Sequence, residues 1–253
     1  MTDHELAALL AAESGRLLLD VRAELADAAP EERKAAGDKR SHDFLISALS
    51  AERPDDAVLS EEGPQEDAEP VRLTASRVWI VDRVDGTREY GEERSDWAVH
   101  VGLAIDGIAV TGAVALPGLA NEPGRGGVVL RSDQPRALAK AAPRPRFLVS
   151  RTRPAREAEE VCKGMGGELV PMGSAGAKAM AIVRGLADCY PHSGGQYEWD
   201  SAAPVAVARH HGLHTSRLDG SPLRYNNADP YLPDLMICRP ELATAALDAV
   251  AAG

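Results

Sequence analysis

Two aspartates at the end of an apolar run are the residues of this sequence best suited to chemistry. The run Val78–Val81 has the length and β-branched content of a buried strand, and Asp82, Asp85, Gly86 and Thr87 come directly after it. Two like charges held this close are tolerable when a cation lies between them. Gly86 allows a sharp turn that lets backbone N–H groups face an anion. The stretch therefore indicates a site for a metal ion and a phosphate.

Two more carboxylates stand at comparable positions. Glu61 follows the short apolar strand Ala57–Ser60, and Asp200 stands at the start of an apolar helix. Each acid taken alone has an ordinary explanation as a cap, a turn former or a solvated charge. As a set, these oxygen ligands favour Mg²⁺ or Mn²⁺ over zinc. The histidines form no metal pattern, since His210 and His211 are adjacent on a helix and point in different directions.

Two segments give weaker signals for anion binding. The glycine-containing segment Gly173–Lys178 precedes a helix and can present backbone N–H groups to an anion, but it lacks the ending of a Walker A motif. A helix N-cap is the ordinary explanation. The basic segment Ser150–Arg153 follows a strand, and it either holds a phosphate or forms a solvated edge.

Length and composition exclude several classes of protein. A chain of 253 residues can bury a sizeable core, as one large domain or two small ones. Three scattered cysteines without CxxC spacing indicate reduced thiols, and the acidic, amphipathic N-terminus is unlike a signal peptide. The net charge of -11 argues against non-specific nucleic-acid binding, and no run is long enough to span a bilayer. We expect an intracellular, cytoplasmic protein.

The first half of the chain predicts helices followed by an antiparallel sheet. Helical spacing of apolar residues predicts a helix over residues 3–28, then a polar connector from Pro30 to Gly37 and a second helix with Asp38 as its N-cap. The acidic segment 63–77 lacks periodicity and predicts a mobile surface loop, and residues 89–95 predict a turn. Two β-rich runs, 97–105 and 108–116, are joined by Asp-Gly and predict a tight hairpin.

The second half of the chain alternates between strands and helices. Strands are expected near residues 147–150, 168–170, 187–190 and 235–238, with helices over 154–163, up to 183, 199–211 and 241–252. The proline-rich crossing 134–146 separates the two halves. We therefore predict an α/β layered fold with two subdomains, 1–133 and 134–253, and a site between them.

In these motifs the chain resembles the CysQ-type 3'(2'),5'-bisphosphate nucleotidases of the inositol-monophosphatase-like superfamily. The matching pieces follow the family order over nearly the whole chain, and they are Leu59–Glu62, Trp79–Tyr90, Ser150–Thr152, Gly173 and Ser174 with Lys178, and Glu198–Ala203. The resemblance implies an αβαβα sandwich with an antiparallel N-terminal sheet and a mixed C-terminal sheet. Arg83 stands where the family commonly has proline, and Arg153 where nucleotidases often have histidine.

The resemblance also implies the roles of individual residues. The metal ligands are Glu61, Asp82, Asp85, Asp200 and the carbonyl of Val84, which hold two or three Mg²⁺ ions, with Mn²⁺ as a possible substitute. Asp38, Thr87 and Glu61 are implied to be catalytic, with Asp38 pairing with Thr87 to activate water. Phosphate and substrate contacts fall on Asp85, Gly86, Thr87, Ser150, Arg151, Thr152, Arg153, Gly173, Ser174, Lys178 and Asp200.

The function that this resemblance implies is lithium-sensitive hydrolysis of the 3'-phosphate of 3'-phosphoadenosine 5'-phosphate by water, in sulfur assimilation. The expected partner is this small phosphorylated substrate, with no nucleic acid or membrane, and the chain is expected to be a monomer or a homodimer. Activity toward inositol phosphates or fructose 1,6-bisphosphate is the first alternative. A metal- or nucleotide-binding regulator without catalysis is the second.

Overall fold

The structure is a computed structural model that describes residues 1–61, 69–119 and 127–252, with the backbone alone at 69 and 70. The first half contains four helices and five strands among its described residues. The helices are α1 (Asp3–Glu24), α2 (Pro30–Glu52), α3 (Glu69–Thr74) and α4 (Thr87–Gly91). The strands are β1 (Ala57–Ser60), β2 (Arg77–Asp85), β3 (Ala98–Ile105), β4 (Ile108–Leu116) and β5 (Val128–Arg131).

The second half alternates as its sequence predicts, with one additional short strand. Its strands are β6 (Arg146–Ser150), β7 (Glu168–Met172), β8 (Cys189–Tyr197), β9 (His214–Ser216) and β10 (Tyr231–Cys238). Its helices are α5 (Arg156–Gly164), α6 (Ala175–Val183), α7 (Glu198–His210) and α8 (Ala243–Ala251). The described residues also include two 3₁₀ turns, Pro117–Leu119 and Pro240–Leu242.

The layers follow the order helices, sheet, helices, sheet, helices. Helices α1 and α2 cover one face of the sheet β1-β2-β3-β4-β5, and α6 and α7 cover its other face. The second sheet, β7-β6-β8-β10-β9, packs between α6 and α7 on one side and α5 and α8 on the other. The predicted αβαβα sandwich is thus confirmed. The first sheet is antiparallel except at its edge, where β1 runs parallel to β2.

The alternation of side chains along β2 explains why this strand lies in the middle of the molecule. Trp79 and Val81 belong to the apolar cluster under α1 and α2, whereas Val78 and Ile80 belong to the cluster under α6 and α7. A strand covered on both faces is apolar throughout, which is the pattern of the run Val78–Val81. The cluster under α6 and α7 also contains residues of β8 and β10, so one apolar core joins the two halves of the chain. The division into subdomains at residue 133 stays a prediction.

The second helix begins earlier than the sequence predicts. Pro30 to Gly37 is helical, so the predicted connector and the N-cap at Asp38 are wrong. Pro30 occupies the first turn, where its missing N–H costs nothing, and Glu31 and Glu32 complement the helix dipole there. Gly37 lies in mid-helix because the Tyr90 ring packs against it. The polar outer face of this turn hid the helix from the periodicity argument.

Other boundaries also differ from the predictions. Residues 69–74 of the expected loop 63–77 form α3, and Arg77 begins β2. The expected mobility of this loop at residues 62–68 lies outside the described residues. The turn expected over 89–95 is partly helical, because α4 extends to Gly91, and α5 begins at Arg156 rather than at Pro154. The hairpin is confirmed, with Asp106 and Gly107 in the left-handed region.

None of the helices in the described ranges is both long enough and apolar enough to cross a membrane.

Candidate metal centre and substrate cleft

A bulge in β2 brings Asp82 and Asp85 to the same face of the first sheet. Asp82 is paired with His100 and Asp85 with Ala98, so β2 has one more residue than β3 over this interval. In a regular strand, two residues an odd number of positions apart point to opposite faces. The bulge cancels this difference and directs both carboxylates toward α6 and α7.

Asp200 completes a cluster of carboxylates at this edge. Oxygens of Asp82, Asp85 and Asp200 lie within 4.8 Å of one another. Asp200 stands in the first turn of α7, and its Oδ2 accepts a hydrogen bond of 2.7 Å from the N–H of Tyr197, the residue before this helix. The reciprocal capping contact fixes the side chain at the helix start. The helix and the bulged strand therefore present three oxygen donors to one point.

The electrostatics of this cluster fit a cation. Burial raises the pKa of Asp82 well above its ordinary value, and the charges of Asp85 and Asp200 raise it further. Burial and the charge of Asp85 raise the pKa of Asp200 to about 7. Deprotonated carboxylates this close repel each other in the protein interior, and a divalent ion removes the repulsion. The donor set of carboxylate oxygens suits Mg²⁺ or Mn²⁺.

Asp85 is held differently from the other two acids. Its carboxylate accepts hydrogen bonds from the Ser174 hydroxyl, from the Ala175 N–H at 3.0 Å and from the Gly176 N–H at 2.6 Å. Burial opposes ionisation, but His100 and Ser174 outweigh it and lower the pKa of Asp85 to about 2. Asp85 therefore stays charged, and it caps the N-terminus of α6.

This geometry changes the interpretation of the segment Gly173–Lys178. Its first helical N–H groups bind the Asp85 carboxylate. Ser174, with a φ of 53°, donates to Asp85 and accepts from the Ala177 N–H at 2.9 Å. The anion that this helix N-terminus holds is thus a side chain of the protein itself, and the segment fixes one member of the carboxylate cluster.

Glu61 and Asp38 are not members of this cluster of three, and Arg83 lies between them. Arg83 Nη2 lies 3.5 Å from Glu61 Oε2, and Arg83 Nε lies 3.5 Å from Asp38 Oδ1. The Arg83 carbonyl accepts from the Ser41 hydroxyl at 3.0 Å, which fastens this stretch of β2 to α2. The sequence resemblance pairs Asp38 with Thr87. The contacts of the structure join Asp38 to Arg83, and the Thr87 hydroxyl donates to the Val84 carbonyl at 3.0 Å.

Two adjoining cavities meet at the turn after β2. One, of about 460 Å³, contains the carboxylate cluster with Glu61, Val84, Gly86 and Thr87. The other, of about 610 Å³, is a cleft bounded by α6, β8 and the end of β6. Gly86 adopts a φ of 86° at the start of α4, where the first N–H groups of a helix have no acceptor within the helix. The size of the larger cleft suits a nucleotide or a sugar phosphate.

The larger cleft contains most of the predicted substrate residues. Lys178 is buried at its base, where its Nζ donates to the Ser174 carbonyl at 2.7 Å and lies 5.1 Å from the centre of the Tyr190 ring. Burial lowers the pKa of Lys178, although the charges of Asp85 and Glu89 oppose this effect. The predicted residues that line the cleft are Asp85, Gly86, Thr87, Ser150, Thr152, Arg153, Gly173, Ser174, Lys178 and Asp200.

Arg151 and Arg153, predicted together, have different surroundings. Arg151 donates to Glu89 at 3.0 Å and to Glu92 at 2.9 Å, and it does not line the cleft. Its charge ties β6 to α4. Arg153 lies on the rim of the cleft, and within the described ranges no carboxylate is within ion-pair distance of its guanidinium group. Arg153 is therefore available to an anionic ligand, as is Arg88, which lines the same cleft.

The sequence interpretation missed several residues at the site. Tyr190, His192 and Gln196 of β8 line the cleft, and His100 of β3 lies 3.2 Å from Asp85. Burial and the charge of Lys178 lower the pKa of His192 to about 4, so this ring is neutral near pH 7. The available signal for His100 was a titratable residue inside an otherwise apolar strand. The residues of β8 carried no such signal.

Comparison with known proteins identifies relatives of this chain and structures that share its fold. A model of the inositol monophosphatase family matches residues 5–250. The chain is 47% identical to a 3'-phosphoadenosine 5'-phosphate phosphatase of Mycobacterium leprae, over 99% of this chain and 94% of that protein. It is 28% identical to the 3'(2'),5'-bisphosphate nucleotidase CysQ of Escherichia coli, over 78% of this chain and 81% of that protein. The crystal structure of CysQ from Bacteroides thetaiotaomicron shares the fold, with a TM-score of 0.76 at 24% identity, over 94% of this chain and 97% of that one.

Proposed function

This chain belongs to the inositol monophosphatase family, and from that premise we propose that it hydrolyses the 3'-phosphate of 3'-phosphoadenosine 5'-phosphate to give AMP and phosphate. The observation that carries the proposal is the carboxylate cluster of Asp82, Asp85 and Asp200 at the edge of a cleft with unpaired positive charge. The 3'-phosphoadenosine 5'-phosphate phosphatase of Mycobacterium leprae supports this substrate, because its similarity extends over 99% of this chain.

The proposed cofactor is Mg²⁺, as two or three ions, with Mn²⁺ as a substitute. Asp82, Asp85 and Asp200 would hold it together with Glu61 and the carbonyl of Val84, all of which line one cavity. When bound, Mg²⁺ lowers the pKa of water and neutralises negative charge on phosphate oxygens. Asp85 is already fixed by α6, so it acts as the rigid ligand, whereas burial raises the pKa of Asp82 and of Asp200 and a bound cation would favour their charged forms.

The other residues of this cavity orient the attacking water in our proposal. The Thr87 hydroxyl is anchored on the Val84 carbonyl, so its oxygen faces the water as an acceptor. Glu61 lines this cavity and takes the proton of the water, and Asp38, which does not line it, assists through Arg83, which lies between the two carboxylates. The oxygen of water forms the new bond to phosphorus, the bond from phosphorus to the ribose 3' oxygen breaks, and that oxygen takes up a proton from solvent to become the 3' hydroxyl of AMP.

The substrate would lie with its two phosphates at opposite ends of the larger cleft. The N–H groups of Gly86 and Thr87 at the start of α4 would bind the phosphate that is removed. The second phosphate would meet Arg153 on the rim and Lys178 at the base, with Ser150 and Thr152 beside them. Because AMP leaves with one phosphate fewer, it keeps only part of these contacts and is the weaker ligand.

Phosphate release from a panel of substrates tests the proposal. We expect the fastest turnover with 3'-phosphoadenosine 5'-phosphate in Mg²⁺, slower turnover with inositol 1-phosphate and fructose 1,6-bisphosphate, loss of activity in EDTA and inhibition by lithium. Arg153→Met should raise KM for the bisphosphate by roughly tenfold and leave KM for adenosine 3'-monophosphate unchanged, since one charge-assisted hydrogen bond is lost. The matched control is Arg156→Met, because Arg156 is exposed and pairs with Glu160 away from the cleft.

A different ranking of substrates would contradict this assignment. If the chain releases phosphate from inositol 1-phosphate faster than from the bisphosphate, the nucleotide assignment fails while the phosphatase chemistry stands. If no member of the panel is hydrolysed in Mg²⁺ or Mn²⁺, the chain is a binding protein instead.

We place the reaction in the cytoplasm, as part of sulfur assimilation, with the chain acting as a monomer or a homodimer on a small molecule.

A further inference from the structure

His100 is a fully buried histidine that lies beside the three clustered carboxylates. On β3 it is paired with Asp82 of β2, so the two side chains share one face of the sheet. Its Nε2 lies 3.2 Å from Oδ2 of Asp85. Its Nδ1 lies 3.0 Å from the carbonyl oxygen of Trp199, the residue before Asp200. A carbonyl can only accept, so Nδ1 is a donor in this contact.

The two contacts of this ring join separate elements of the fold. Asp85 comes from β2, and the Trp199 carbonyl belongs to the first turn of α7, which carries Asp200. Asp85 and Asp200 repel each other, and each raises the electrostatic cost of ionising its neighbours. The rigid His100 ring contacts the Asp85 carboxylate and the Trp199 carbonyl, which precedes Asp200. It therefore limits how far the carboxylates of Asp85 and Asp200 can move apart. Residues beyond the ligands often set the geometry of a metal site in this way.

The neighbouring helix leaves space for the ring at one point. A Cβ atom at position 176 would lie 2.0 Å from His100 Nε2, so Gly176 is required for the ring to approach Asp85. The Gly176 N–H also donates to Asp85 Oδ2. His100 and Gly176 therefore reach the same carboxylate oxygen from β3 and from α6.

We propose that His100 is a positioning residue that holds Asp85 and the first turn of α7 at the spacing a divalent cation needs. The inference rests on the metal site of the proposed function, and it assigns to His100 an effect on metal affinity rather than direct ligation. The ring acts through Asp85 and through the peptide between Trp199 and Asp200.

Mn²⁺ binding to the full chain, measured by isothermal titration calorimetry, tests this role. We expect His100→Ala to weaken Mn²⁺ binding about 10- to 100-fold, the range typical when the support of a metal ligand is removed. His100→Asn places its amide near the position of Nδ1 and can keep the bond to the Trp199 carbonyl. His100→Gln reaches the position of Nε2 and can keep the contact with Asp85. Each of these two variants should lose less affinity than His100→Ala, and they carry the test if the alanine variant does not fold.

The matched control is a second buried histidine, His211, which directly follows α7. His211 also lies with Nδ1 2.8 Å from a backbone carbonyl, that of Val207, but at the opposite end of the helix. His211→Asn should change the free energy of unfolding in EDTA without changing Mn²⁺ affinity. Our inference is overturned if folded His100 variants bind Mn²⁺ within about twofold of the wild type, or if His211→Asn weakens binding equally. A wild-type chain that binds no Mn²⁺ refutes the proposed metal site itself.

Discussion

Asp82 and Asp85 belong to one strand, yet the protein treats their charges in opposite ways. Asp82 accepts a hydrogen bond from the Val84 N–H at 3.0 Å, and burial raises its pKa. Asp85 accepts three hydrogen bonds from the start of α6, and its pKa is lowered. One charge is thus costly without a cation, and the other is stabilised by the fold itself.

This difference predicts opposite effects of two similar substitutions on stability. Asp82→Asn removes a costly charge and keeps one acceptor oxygen, so the free energy of unfolding in EDTA should stay equal or rise. Asp85→Asn turns an NH₂ group toward N–H and O–H donors, which should lower the free energy of unfolding in EDTA by about 1–3 kcal/mol. Both variants should lose nearly all turnover, because each lacks a metal ligand. Urea denaturation in EDTA and phosphate release in Mg²⁺ provide the two measurements.

The result that would contradict this view is a folded Asp85→Asn variant with wild-type turnover. Equal losses of stability in the two variants would also count against it, since that outcome would mean that α6 does not depend on the Asp85 charge.

At the scale of elements, the site is built where a bulged strand meets two helix starts. The start of α6 holds Asp85, and the start of α7 supplies Asp200. Gly176 packs against His100 of β3, which occupies the space that a side chain at position 176 would need. The close packing of α6 on β3 thus determines the positions of the ligands.

We therefore expect Gly176→Ala to impair both stability and activity. The added methyl group must displace His100 or shift α6 away from Asp85, which should lower the free energy of unfolding by roughly 1–3 kcal/mol and lower kcat more than tenfold. The control is Gly164→Ala at the end of α5, where the nearest side-chain atom to an added Cβ is 3.8 Å away. Thermal unfolding and initial rates decide the matter, and an active, stable Gly176→Ala variant would contradict the close packing.

The sequence predicted elements with strong periodicity and missed the features that depend on tertiary contacts. The hairpin at Asp106 and Gly107 follows from local turn chemistry, and its residues were assigned correctly. The first turns of α2 have a polar face, and their helical state depends on packing that a periodicity argument does not include. The bulge between Asp82 and Asp85 has no local signal, although it decides which way Asp85 points.

The same limit applied to the site. The carboxylates Glu61, Asp82 and Asp85 could be predicted as site residues because they follow apolar strands, and Asp200 because it stands at the start of an apolar helix. The contact of Asp38 with Arg83 and the contact of Arg151 with Glu89 could not be predicted in this way, because each joins residues that are distant in the sequence.

At the scale of the whole molecule, the carboxylate cluster makes stability depend on pH and on metal. In the metal-free chain, folding raises the pKa of Asp200 from 3.8 to about 7, so between these values the folded state binds a proton that the unfolded state has lost. The free energy of unfolding should therefore fall as pH rises through this window, by up to about 4 kcal/mol from this group. Asp82 acts with the same sign. Asp85 acts oppositely, and its contribution is lost as pH falls from about 4 toward 2.

Chemical denaturation at several pH values, with EDTA and with Mg²⁺, measures this dependence. Mg²⁺ binds the deprotonated carboxylates, so it should flatten the fall between about pH 5 and 7 and stabilise the chain by about 2.7 kcal/mol at a concentration 100 times its Kd. Asp200→Asn should flatten the same slope in EDTA. A slope that this substitution leaves unchanged would assign the pH dependence to other groups.

The capping of α6 by Asp85 has one more consequence, for the exchange of backbone hydrogens with solvent. The amides of Ala175 and Gly176 donate to a carboxylate that is also a proposed metal ligand, so local opening of this helix end must release the ligand as well. An ion bound to Asp85 makes that opening more costly, and exchange of these two amides with deuterated water should slow as the ion binds. Two main-chain hydrogens on the opposite side of the carboxylate would thus record the occupancy of the metal centre without any measurement of turnover.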